Sequence, residues 1–67
     1  MPKQKRVALK RLLTRSCEDI ERAQVHLVQV YAEFEPVHPD RAEQLYVMGQ
    51  ALGSIFNALA RFRDEVI

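Results

Sequence analysis

Three residues have side chains that attack carbonyl groups, shuttle protons or bind transition metals: Cys17, His26 and His38. A cysteine nucleophile needs a base within hydrogen-bond reach. If both sit on one helix, the nine positions between Cys17 and His26 amount to about 13 Å along the axis. That separation is too large for a nucleophile and its base. His38 lies in "EPVHPD", between two prolines, where starting the next segment accounts for it. A zinc centre gathers about four N, S or O ligands, and Cys17, His26 and His38 follow no recognised ligand spacing. Glu18, Asp19 and Glu21 crowd together, yet no histidine joins them in a helical cluster. Their spacing suits local ion pairs instead, Arg15 with Asp19 and Glu18 with Arg22. There is no glycine-rich loop to cradle a phosphate. We therefore expect no enzyme: no catalytic residue, no metal and no cofactor.

Phosphate recognition is the remaining chemistry to weigh. Residues 1 to 15 hold Lys3, Lys5, Arg6, Lys10, Arg11 and Arg15 with no acid, whereas residues 16 to 60 hold seven acids against Arg22 and Arg41. Nucleic-acid contact would use Lys3, Arg6, Lys10, Arg11 and Arg15, joined by Arg61 and Arg63 if the chain folds back on itself. The formal net charge is only +1, far from the strongly basic balance of a dedicated nucleic-acid binder. No aromatic residue stands among the early basic positions to stack bases. An RNA- or DNA-binding regulator is the alternative reading, behind an ordinary solvated helix surface.

The elements carrying these residues follow from periodicity. Between Gln4 and Phe34 there is neither glycine nor proline, and Leu9, Leu13, Ile20, Ala23, Leu27, Val30 and Phe34 recur at helical spacing, with Ser16 completing the stripe. A helix is expected over about residues 4 to 34. Pro36 ends it, since it has no N–H to continue the ladder and biases Glu35 away from helical angles. A turn over about residues 35 to 39 leads into a second helix, about 39 to 65. That helix starts either with Pro39 at its first position or with Asp40 as cap and Glu43 completing a capping box. Its apolar residues Leu45, Met48, Leu52, Ile55, Leu59, Phe62 and Val66 alternate by three and four. The fold class is all-α, a single antiparallel two-helix hairpin.

One hairpin has one seam, and these stripes are wider than a seam. Beside the main stripe runs a second row, Gly49, Gly53, Phe56 and Ala60. Glycine costs about 1 kcal/mol relative to alanine inside a helix, so Gly49 and Gly53 need a reason, and close approach of another helix supplies one. Hydrophobic residues make up 48% of the chain, more than a short monomer hides easily. Two hairpins pairing would form a four-helix bundle, with a homodimer expected first and a tetramer second. The expected oligomer interface is Leu45, Met48, Gly49, Leu52, Gly53, Ile55, Phe56, Leu59 and Ala60. A separate protein supplying the missing helices is the other partner class.

Cys17 is the single cysteine, which points to a reducing, cytoplasmic setting. The basic start has no uninterrupted apolar core of a secretory signal, and no stretch is apolar enough for a membrane span. The expected function is a small non-enzymatic, homo-oligomeric interaction or adaptor protein.

Overall fold

Two prolines three residues apart divide the chain into two rods, as seen in a computed structural model that describes residues 3–67. The first helix, α1, runs Lys3–Phe34 and the second, α2, runs Pro39–Glu65. At the end of α1 the Glu35 N–H still reaches the Tyr31 carbonyl at 2.9 Å. Pro36 has no N–H to donate, so the ladder stops there. The Phe34 carbonyl then accepts from both Val37, at 3.1 Å, and His38, at 2.7 Å, closing the reversal. Of the two starts open to α2, the chain takes Pro39 at the first helical position, with His38 as the preceding residue. The Ala42 N–H bonds the His38 carbonyl at 3.0 Å, so the first turn forms without a side-chain cap.

The helices pack against each other along their length into an antiparallel hairpin measuring 53 × 15 × 10 Å. Paired contacts give its register. Cys17 Sγ lies 4.0 Å from the Phe56 carbonyl oxygen, and Gln24 Nε2 donates to the Gly49 carbonyl at 3.3 Å. Near the turn the rings of Tyr31 and Tyr46 are 6.3 Å apart. At the open end Arg6 donates to the Ile67 carbonyl oxygen, its shorter bond 2.7 Å.

The seam runs through Cys17, Gln24 and Tyr31 on α1 and Ala42, Gly49, Phe56 and Arg63 on α2, each row spaced by seven. Among the described residues only Cys17, 4% exposed, and Ala42, 1% exposed, are buried. Gly49, Gly53, Phe56 and Ala60 are half-buried in the hairpin. The two glycines are not equivalent, since a Cβ added at Gly49 would meet nothing within 4 Å. At Gly53 an added Cβ would stand 3.1 Å from Gln24 Nε2; the missing side chain makes room for that amide.

Candidate interaction surface

With the seam on the glycine row, the wider apolar stripes lie to one side of it. Leu45, Leu52 and Leu59 are half-buried against α1. One step further round, at the same spacing of seven, Met48, Ile55 and Phe62 are 55%, 48% and 46% exposed, followed by an exposed Val66. The α1 stripe flanks the same face: Leu9, Leu13, Ser16, Ile20, Ala23 and Leu27 are half-buried, and Val30 and Phe34 are exposed. Near the turn the two stripes meet in an open groove of about 320 Å³ lined by Val30, Phe34, Leu45 and Met48, with Arg41 and Gln44 at its rim. The hairpin thus presents a continuous apolar face built from both helices. A second groove, about 330 Å³, opens among Gln24, Leu27, Val28, Tyr31, Leu45, Tyr46 and Gly49.

A folded compact monomer of 7.8 kDa exposes about 4,400 Å², whereas the hairpin exposes 5454 Å². The excess belongs to the elongated rod as a whole.

Sequence reasoning placed the expected interface residues in one set, and the structure divides them. Met48 and Ile55 are exposed, whereas Leu45, Gly49, Leu52, Gly53, Phe56, Leu59 and Ala60 are half-buried in the hairpin. Phe62, Val30 and Phe34 belong to the exposed face and were absent from that set. They were legible as members of the helical stripes, but only the position of the seam shows which members remain uncovered.

The basic residues Lys3, Arg6, Lys10, Arg11, Arg15, Arg61 and Arg63 gather at the open end. Two are engaged within the chain. Arg6 holds the Ile67 carbonyl, while Arg63 donates to Asp64 at 3.0 Å and to the Thr14 hydroxyl at 3.2 Å. The hydrogen bond and charge of Arg63 hold the Asp64 carboxyl below its ordinary value, partly opposed by desolvation. Arg63 is in turn raised, chiefly by its hydrogen bond to Asp64. On α1 the ion pair joins Arg22 to Asp19, three residues apart and both exposed. Such a pair adds little stability.

Cys17 is held in the seam. His26 is exposed on α1 and His38 sits in the turn, its ring 6.2 Å from Phe34. Glu35 and His38 have the three-residue spacing of carboxylate-histidine metal ligands, but they occupy the turn between the helices. Among the described residues no group of three or more His, Cys, Asp or Glu comes together that could hold a metal ion. Nor is any described helix long and apolar enough to cross a membrane. Comparison with protein-family models, with curated proteins and with solved structures gives no match to this chain.

Proposed function

We propose that the chain is a non-enzymatic interaction module of the cytoplasm. Its hairpin pairs with a second copy through the Met48, Ile55 and Phe62 face, completing a four-helix core. The observation that carries this reading is the uninterrupted exposed row on α2, flanked by half-buried leucines and continued by Val30 and Phe34 on α1. An apolar face of this extent usually marks an interaction site. A twofold dimer is the commonest closed way to cover one such face. The assembled rods would then offer their charged ends to another macromolecule.

Sedimentation of the intact chain at micromolar concentration tests the reading. The expected mass is twice 7.8 kDa, with a tetramer as the next closed form. Ile55→Lys places a charge in the middle of the face and should give a helical monomer. A well-folded monomer of the unaltered chain would overturn the reading and turn attention to a different protein as the source of the covering helices.

A further inference from the structure

Resting on that pairing, we infer that the two hairpins lie head to tail, with the turn of each beside the open end of the other. Phe62 of the partner subunit then seats in the turn-end groove.

Charge is the first ground. The half of the rod nearest the turn, residues 19 to 52, carries six acids against Arg22 and Arg41; the other half carries eight bases against Glu18, Asp64 and Glu65. With neutral histidines these halves have net charges of −4 and +5. Side-by-side pairing with both turns together would stack like on like at each end. Head-to-tail pairing sets each acidic half against a basic one, which is how complementary potentials select orientation.

A second ground lies in how α1 treats its own dipole. Helices favour acids in the first turn and bases in the last. α2 follows this preference with Asp40 at its start and Arg63 at its end. α1 has no acid in its first turn and no base in its last. It opens on Lys3, Lys5 and Arg6 and closes on Glu33. This charge pattern works against α1 alone and suits an acidic turn from a neighbour lying beside those bases.

Shape gives the third ground. The groove among Val30, Phe34, Leu45 and Met48 lies one to two helical turns from the reversal. The exposed Phe62 lies about one turn from the far end of α2. A twofold axis across the middle of the rod brings these two levels together. With both turns at one end, each groove would face its own copy, and Phe62 would meet its own counterpart.

Distance measurement decides the matter. Val37, exposed in the turn, is changed to Val37→Cys in a Cys17→Ala chain and spin-labelled; the mass of the same sample is taken by sedimentation. The expected result is a dimer with labels about 45 Å apart, roughly the length of the helices. A dimer with labels within about 25 Å, two to three helix spacings, overturns the orientation and leaves pairing intact. A monomer overturns both.

The unaltered chain provides a second measurement that does not depend on the Cys17 replacement. Raising salt from about 20 to 500 mM screens the ends and should weaken a head-to-tail dimer; tighter pairing at high salt overturns the orientation. Phe62→Ala should weaken dimerisation at least about tenfold, as for an aromatic side chain seated in a pocket. An unchanged dissociation constant removes Phe62 from the groove.

Discussion

Gln24 is a half-buried polar residue on the seam between the two helices. Its amide lies over Gly53 and donates to the Gly49 carbonyl, so the two glycines answer differently to the same substitution. Nothing stands within 4 Å of a Cβ added at Gly49. Gly49→Ala should therefore raise stability by about 0.5–1 kcal/mol through the backbone alone, read as a higher urea midpoint at fixed protein concentration. Gly53→Ala gains the same backbone contribution but pushes the Gln24 amide from its 3.3 Å bond. A lost bond of this kind costs about 0.5–1.5 kcal/mol, so the net change should be near zero. A loss beyond about 1.5 kcal/mol would show that Gln24 has nowhere to move. Near the turn, the Tyr31 phenol is held above its ordinary value of 10.0, first by its hydrogen bond to Glu35 and then by the Glu35 charge, with lesser help from desolvation, Tyr46 and Glu43. The folded chain therefore holds that proton more strongly than the unfolded one. The associated stability is complete below pH 10 and is lost as pH rises through the raised value. In a Tyr46→Phe background, ultraviolet titration should show Tyr31 ionising late, and Glu35→Gln should bring it back toward the ordinary value.

The hairpin was readable from the sequence, and the reason is local. Pro36 removes a donor that α1 needs, Pro39 suits the first position of α2, and the stretches between hold a helical period without a breaker until Gly49. Which row of α2 faces α1 was less legible. A period of three and four identifies a stripe, but a stripe about 100° wide can meet its neighbour along either edge. Here the row facing α1 is mixed in size, with Ala42, Gly53 and Ala60 beside Phe56 and Arg63, while Met48, Ile55 and Phe62 are left outside. The start of α2 also retains an unused opportunity. His38 occupies the N-cap position with φ −136° and ψ 75°, yet its side chain makes no capping bond. His38→Ser puts a hydroxyl where it can accept from the first-turn N–H groups and should stabilise the fold by about 1 kcal/mol. Thermal unfolding followed by circular dichroism checks this, and a lower midpoint would mean that the His38 ring against Phe34 matters more than the missing cap.

As a whole molecule this is a thin rod with two buried residues among those described, and its seam alone is a modest basis for independent folding. A chain of this size hides a smaller share of its surface than a large domain does. Covering the open face would therefore contribute to holding the hairpin closed as well as joining two copies. Cys17 turns that relation into a rate. Its thiol sits in mid-seam, 4% exposed, so a bulky thiol reagent can reach it only after the helices part. The modification half-life is then a clock for opening. If association and closure are linked, that clock must slow as the protein is concentrated, with reagent held in constant excess. Ile55→Lys should speed it and make it indifferent to concentration, so that a thiol inside one hairpin would report on pairing between two.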